Sequence, residues 1–395
     1  DGIRDQPRSR GLGDVYKRQI LKNEYYNKLG VRRVINCASY LTMLGGSIMP
    51  KGVVDAMEKA SEWFVDMKEL NMAAGEVIAE FTGAEAGLVT AGAASALMLQ
   101  TAACIAGSNP KYIDQLPNTD RIKDEFIIHR SHRTNYDHNY RNAGAKLIEI
   151  GNTGGTKEWE LEANINEKTA GIIYVYGPKQ AGAIEIEKVI EIASNHSIPV
   201  IVDAAALLPP PENLRRFISK GADMVAYSGG KGLRGPQSTG ILCGKKDLID
   251  AAFLHSAPNN EGIGRVAKVS KEEIIGLITA LEIFIDKDHS VVMKKWENDC
   301  NIISDSIKSI DSLKVSFIKA PSNPEDINDE EATHPYLIIS SKNHSDSEIE
   351  ELLAEGNPSI RVRNGFDTDG VKIFTSNLQE GEAKIVAQKV LDALS

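Results

Sequence analysis

The chain has 395 residues and a formal net charge of −10 at pH 7. That length predicts two or three domains at roughly 100–200 residues each, and the acidic balance argues against a nucleic-acid partner, which needs clustered Lys and Arg. No apolar run approaches the ~20 residues that span a bilayer, the opening residues show no signal-peptide pattern, and four scattered cysteines form neither a zinc pattern nor a disulfide framework. A cytoplasmic setting without membrane contact is expected.

Residues 1–19 are charged, aperiodic and broken by glycine, and read as a non-native or disordered arm. Residues 20–60 are expected to bridge to a small domain, residues 61–265 to form a large domain, and residues 266–395 to form a linking helix and a small C-terminal domain. Val53, Val54, Met57, Trp63, Phe64 and Met67 recur at helical spacing, and a second helical stretch follows around 76–81. An alanine-rich stretch to Ala106, after Thr90-Ala-Gly-Ala-Ala-Ser95, reads as a buried helix. Strands are expected at 126–128, 146–150, 171–176, 198–202, 223–226 and 240–243, with helical patterns at 185–194 and 212–220 between some of them. Such alternation predicts an α/β fold with a mostly parallel sheet covered on both faces.

The character changes further along the chain. Lys271–Asp286 reads as a helix capped by Ser270, with Glu273 at the capping-box position. Residues 320–331, rich in Pro, Asn, Asp and Glu, read as a loop. Strands near 336–340 and 359–362 and a closing helix over 380–394 predict a small α+β unit.

The chemistry concentrates in Ala226-Tyr-Ser-Gly-Gly-Lys-Gly-Leu-Arg-Gly-Pro-Gln-Ser-Thr-Gly240, where an apolar strand delivers Lys231 into a glycine-rich turn. Upstream, Ile198-Pro-Val-Ile-Val-Asp203 ends a second strand in a carboxylate. Alone, the lysine is most simply a solvated loop residue, and the aspartate a helix cap. In this order, both stand at the carboxyl ends of strands, where open α/β sheets bind ligands. A lysine that can form a Schiff base and a carboxylate that can keep a pyridine nitrogen protonated are the two parts of a pyridoxal 5'-phosphate (PLP) site.

Further parts are in place. Gly92, Ala93, Ala94 and Ser95 open a helix whose free N–H groups suit the cofactor phosphate. Ser228 could reach the same phosphate, and His132 could stack on the ring, although a lone histidine is more often structural. Arg363, at the end of a strand in Pro358-Ser-Ile-Arg-Val-Arg363, could clamp a substrate carboxylate, with Arg361 facing the other way. Arg234, Arg265 and Lys268 are further cations that could hold a substrate phosphate. Gly262-Ile-Gly-Arg-Val-Ala267 matches a dinucleotide fingerprint in spelling but follows no strand, and Gly229-Gly-Lys-Gly resembles part of a P-loop but lacks its Ser or Thr.

Together, Val31-Arg-Arg-Val-Ile-Asn-Cys-Ala-Ser39, Thr82-Gly-Ala-Glu-Ala-Gly87, Thr90-Ala-Gly-Ala-Ala-Ser95, Val202-Asp-Ala-Ala205 and Ser228-Gly-Gly-Lys-Gly-Leu-Arg-Gly-Pro-Gln237 resemble the SelA-like branch of fold-type I PLP enzymes, over about residues 30–395. The resemblance implies an aspartate aminotransferase-like large domain and a small α+β C-terminal domain. It also implies Lys231 as the Schiff-base lysine, Asp203 as the pyridinium partner, the segment ending in Arg363 as the carboxylate-binding one, and a dimer or larger assembly with sites at subunit interfaces. That branch holds bacterial selenocysteine synthase and D-glucosaminate-6-phosphate ammonia-lyase. The phrases Leu41-Thr-Met-Leu-Gly-Gly-Ser47 and Lys268-Val-Ser-Lys-Glu-Glu-Ile-Ile-Gly276 look like the second subgroup. The expected activity is therefore α,β-elimination on a hydroxylated amino acid or amino sugar acid, with D-glucosaminate 6-phosphate giving 2-keto-3-deoxygluconate 6-phosphate and ammonia. An aminotransferase or β-lyase would use the same Lys231 and Asp203, and a selenium transferase-like protein without tRNA binding is a third reading. A cysteine desulfurase would need a cysteine in a mobile loop, and a regulator would need a DNA-binding appendage.

Overall fold

The computed structural model describes residues 24–177, 182–365 and 369–395. The arm expected over residues 1–19 lies outside the described residues. Two compact units make up the chain. The smaller comprises residues through Ser39, Glu297–Ile318 and Tyr336–Ser395, and the larger comprises Tyr40–Trp296 and Lys319–Pro335.

After β1 (Val34–Asn36), which belongs to the smaller unit, the chain builds the seven-stranded sheet of the larger unit. Its strands are β2 (Ala86–Thr90), β3 (Glu125–His129), β4 (Lys146–Ile150), β5 (Thr169–Val175), β6 (Val200–Asp203), β7 (Met224–Ser228) and β8 (Gly240–Gly244), in the order β2-β8-β7-β6-β5-β3-β4. β8 is antiparallel to both of its neighbours, and the other pairs are parallel. The mostly parallel sheet expected from the alternation is present. Every residue of β5 is buried, as a parallel strand covered on both faces requires.

Alternation along the strands sorts the core into two faces. Val200 and Val202 of β6 and Val225 and Tyr227 of β7 pack in one cluster with Ile274 and Leu277 of the helix Lys271–Asp286. Ile201, Met224, Ala226 and Val175 pack in the other, with Tyr140 and with Ala96, Leu97 and Leu99 of the helix Gly92–Ala106. By the same period of two, Asp203 and Ser228 project toward this second face.

The helix Lys271–Asp286 begins where the sequence places it, with the Ser270–Glu273 capping box formed. The amphipathic helix read from Val53 to Met67 is instead two helices, Lys51–Ser61 and Met67–Thr82. Asp66 starts the second by accepting from the N–H groups of Lys68 (2.7 Å) and Glu69 (3.1 Å). A good cap outweighs apolar periodicity here, and Trp63 and Phe64 lie exposed in the connection.

In the smaller unit β9 (Leu313–Ile318) and β10 (Tyr336–Ser341) are antiparallel neighbours, and β11 (Ser359–Arg361) pairs in parallel with β1. β12 (Arg363–Asn364) and β13 (Val371–Phe374) complete a four-stranded sheet of order β12-β13-β10-β9. The strand read over 359–362 is present as β11, and Arg361 and Arg363 belong to different sheets. The closing helix is Glu382–Leu394. No helix among the described residues is long and apolar enough to cross a membrane.

Candidate active site

The glycines around Lys231 are dictated by contact. β7 ends at Ser228 and the chain returns at Gly240, its register partner on β8. Within the turn, the N–H of Gly235 donates to Gly229 O (2.8 Å) and that of Arg234 to Lys231 O (3.0 Å). A Cβ on Gly232 would lie 2.0 Å from the carbonyl oxygen of Leu208, so no side chain fits immediately after the lysine. Arg234 itself holds a positive φ of 58°. The segment 41–47 packs onto this turn: Ser47 Oγ donates to Gly230 O (2.9 Å), and Gln237 Nε2 donates to Thr42 O (3.2 Å). The phrase that carried the subgroup resemblance therefore braces the lysine turn.

Asp203 ends β6 in register with Val175 on one side and Ala226 on the other. It is 7% exposed, and its Oδ1 accepts from Ala205 N (3.0 Å). Burial raises its pKa above the ordinary range, opposed by the Ala205 N–H and by the charge of Lys231. A carboxyl desolvated in this way lacks a full counter-charge, and a protonated ring nitrogen would supply one. Lys231 Nζ also lies 3.7 Å from Glu330 Oε2, a neighbour that nothing in the sequence pattern announced.

The helix Gly92–Ala106 opens with Gly92 at φ 75° and no side-chain cap on its first N–H groups. Such N–H groups suit an anionic acceptor. A Cβ on Gly240 would fall 2.5 Å from Gly92 C, so the start of β8 lies against this helix end, and Ser228 is the register partner of Gly240 on β7. Ala93 and Ala94 continue its first turn, and Ser95 Oγ is buried without a partner. The Tyr140 hydroxyl is buried and unpartnered as well, with its pKa pushed well above the usual phenol value by burial and then by Asp203 and Asp137. Tyr140, on the short helix Asp137–Asn142, has no motif to mark it, and sequence reasoning missed it.

His132 follows β3 and is 2% exposed. Its Nδ1 accepts from Val175 N (3.3 Å), which puts the proton of the neutral ring on Nε2, and the ring meets Tyr174 edge-on at 4.5 Å between centroids. Since Val175 is the register partner of Asp203, His132 stands at the same sheet edge, next to the strand that neighbours the aspartate.

The other cations are placed differently. Arg265 Nε donates to Asn260 Oδ1 (3.3 Å) within the connection that follows the helix Lys246–Leu254, and Lys268 in that connection is exposed. Gly262-Ile-Gly264 lies in this same turn-rich connection, with no strand before it. Arg363 belongs to the smaller unit, opposite Lys372 of β13. Among the described residues no group of three or more His, Cys, Asp or Glu could hold a metal ion.

A lysine in a rigid turn, a buried carboxyl short of a counter-charge, and an uncapped helix end beside an unpartnered hydroxyl match the aldehyde, ring nitrogen and phosphate of PLP. The fold is that of the fold-type I PLP-dependent enzymes. A family model described as SelA, L-seryl-tRNA selenium transferase, matches residues 41–297, and the chain belongs to that family. D-glucosaminate-6-phosphate ammonia lyase of Salmonella typhimurium is 34% identical over 263 residues, 65% of this chain and 69% of the relative. A 5'-C-glycyluridine monooxygenase-decarboxylase of a Streptomyces species is 33% identical over 264 residues, 65% of this chain and 64% of the relative. A solved structure of D-glucosaminate-6-phosphate ammonia-lyase superposes with a TM-score of 0.80 at 26% identity, covering 94% of this chain and all of that one. At 11% identity, a structure of SPT with a PLP internal aldimine shares the fold alone, with a TM-score of 0.58 over 97% of this chain and 98% of its own.

Proposed function

We propose that the chain is a PLP-dependent carbon–nitrogen lyase that removes water and then ammonia from a hydroxylated amino acid, with D-glucosaminate 6-phosphate as substrate. The observation that carries the PLP chemistry is the buried Asp203 carboxyl within electrostatic reach of Lys231. The choice of an ammonia-lyase is supported by likeness to the Salmonella enzyme and to the solved ammonia-lyase structure.

Bound PLP supplies an aldehyde for the substrate amine and a protonated ring that takes up electron density from Cα. Lys231 holds the cofactor until substrate displaces it, and its freed, neutral amine then removes the Cα proton. Asp203 keeps the proton on the ring nitrogen. The N–H groups of Gly92, Ala93 and Ala94, with the Ser95 and Ser228 hydroxyls, bind the cofactor phosphate, and His132 lies against the ring. Arg363 binds the substrate carboxylate, and Arg234, Arg265 and Lys268 are the cations offered to a substrate phosphate. The β-hydroxyl leaves as water, and hydrolysis of the resulting enamine gives a 2-keto acid and ammonia. Sites formed between subunits of a homo-oligomer complete the reading.

The Streptomyces relative favours a second reading, in which the same Lys231 and Asp203 serve another reaction of an amino acid. One experiment separates them. The visible spectrum of the PLP-loaded protein is recorded before and after adding D-glucosaminate 6-phosphate, with ammonia measured in the same cuvette. A shifted band with ammonia release is expected. A shift without ammonia would leave PLP in place and remove the lyase assignment, and no cofactor band at all would overturn the site built on Lys231.

A further inference from the structure

We infer that Glu330, in a strap of chain that Arg216 grips, is the proton partner of Lys231. The inference rests on the lyase reading for the destination of the proton. Residues 320–331, which the sequence suggests are a plain loop, lie in a strap, Lys319–Pro335, that belongs to the larger unit. Arg216, only 7% exposed, grips it. Nη1 donates to Ile327 O (2.7 Å) and Pro324 O (3.3 Å), and Nη2 donates to Glu325 O (2.9 Å) and Asn328 Oδ1 (2.9 Å). The guanidinium lies over Tyr176 and Phe217 at 5.4 and 5.2 Å from their ring centres, and Lys220 Nζ holds the Glu325 carboxylate at 2.7 Å.

Just beyond this clamp the backbone of Glu330 is fixed again. Its carbonyl accepts from Thr333 N (3.2 Å) and Thr333 Oγ1 (2.7 Å), and Asp329 Oδ1 accepts from Ala332 N (2.8 Å). The carboxylate so placed has Oε2 3.7 Å from Lys231 Nζ, and both side chains are mostly buried, at 17% and 23% exposure. At that distance the contact is an ion pair. Asp203 acts on the same nitrogen from the strand side, but in the proposed function it is committed to the ring. Glu330 is not.

Elimination needs two proton transfers. Lys231 takes the Cα proton, and the electron pair left on Cα forms the Cα=Cβ bond as the Cβ–O bond breaks with its pair going to oxygen. That oxygen needs one proton to leave as water. The Glu330 carboxylate takes the proton that Lys231 has just received and passes it to that oxygen. One hydrogen and one hydroxyl depart as water, and both groups return to their starting states.

The test is Glu330→Gln, with Glu330→Asp as the conservative variant, in the PLP-loaded protein. The visible band of the Lys231-bound cofactor is titrated with pH, and ammonia release is compared with exchange of the substrate Cα proton into deuterated solvent. Loss of the carboxylate is expected to lower the pH midpoint of the band by about one unit. The ratio of ammonia release to exchange is expected to fall about a hundredfold, with partial recovery in Glu330→Asp. An unmoved midpoint or an unchanged ratio in Glu330→Gln would overturn the inference. A wild-type protein that exchanges the Cα proton but releases no ammonia would overturn the lyase reading instead, and the midpoint alone would then decide the pairing.

Discussion

The two edges of the large sheet treat their carboxylates in opposite ways. At the amino edge, Asp223 accepts from Val200 N at 2.7 Å and pairs with Lys245 at 2.6 Å. Asp124 accepts from Thr119 Oγ1 at 2.6 Å and pairs with Lys146 at 2.9 Å. At the carboxyl edge, Asp203 has one backbone N–H and a raised pKa, and the hydroxyls of Tyr140 and Ser95 on its face have no partner. Satisfied polar groups hold a sheet together, whereas unsatisfied ones cost stability unless a ligand answers them. The amino edge satisfies its carboxylates, and the carboxyl edge leaves polar groups for a ligand to answer.

The largest test exchanges the two roles. Asp203→Asn is expected to reduce turnover at least a hundredfold while raising the denaturant midpoint of the cofactor-free protein at pH 7. The sign follows from the raised pKa. The folded state binds this proton more tightly than the unfolded chain, so the stabilisation is present at low pH and lost as pH rises through the folded value. The advantage of the variant should therefore shrink as the pH falls toward 4. Asp223→Asn should do the reverse, keeping turnover within a few-fold and costing on the order of 2 kcal/mol. Equal stability losses in both variants would break the contrast.

A second test sharpens it by face. His129, at the end of β3, accepts from Ile184 N at 3.2 Å, and burial lowers its pKa from 6.5 to about 4. Its neutral form belongs to the folded state, so its contribution is complete above pH 6.5 and is lost as pH falls from there through 4. That loss amounts to about 3 kcal/mol. Urea midpoints at pH 7 and pH 4 should show a steeper acid loss in the wild type than in His129→Gln.

The smallest effect separates two buried phenols. Tyr227 OH donates to Asn213 O at 2.7 Å, and Tyr140 OH has no partner. Tyr227→Phe should lose about 1 kcal/mol, whereas Tyr140→Phe should leave the thermal midpoint of the cofactor-free protein unchanged. A midpoint lowered equally by both would show that Tyr140 is satisfied after all.

Much of this architecture was legible in the sequence because it is written locally. The strands 125–129, 146–150 and 240–244 are compact apolar runs, and the capping box at Ser270 marks its helix outright. Lys231 and Asp203 stand at strand ends, where the position itself carries meaning. What escaped is determined by contacts distant in the chain. β2 is a short run, Ala-Gly-Leu-Val-Thr, whose strand character comes from its pairing with β8. Glu330 sits in a stretch whose composition reads as loop, and its importance depends on Arg216 more than a hundred residues earlier. The break after Ser61 was misread although Asp66, a strong capping residue, stood in view.

The pairing of β2 with β8 also orders events during synthesis. Among the described strands β2 has β8 as its sole sheet neighbour, joining Ala86 to Gly244 and Thr90 to Gly240. A ribosome-bound chain that has not yet reached Gly240 therefore carries the strand leading into the helix Gly92–Ala106 without its partner, although β3 to β7 can already assemble. The hairpin bearing Lys231 is the same piece of chain that closes the sheet. Emergence of Lys231 and closure of the sheet beside the start of the helix Gly92–Ala106 are thus one step.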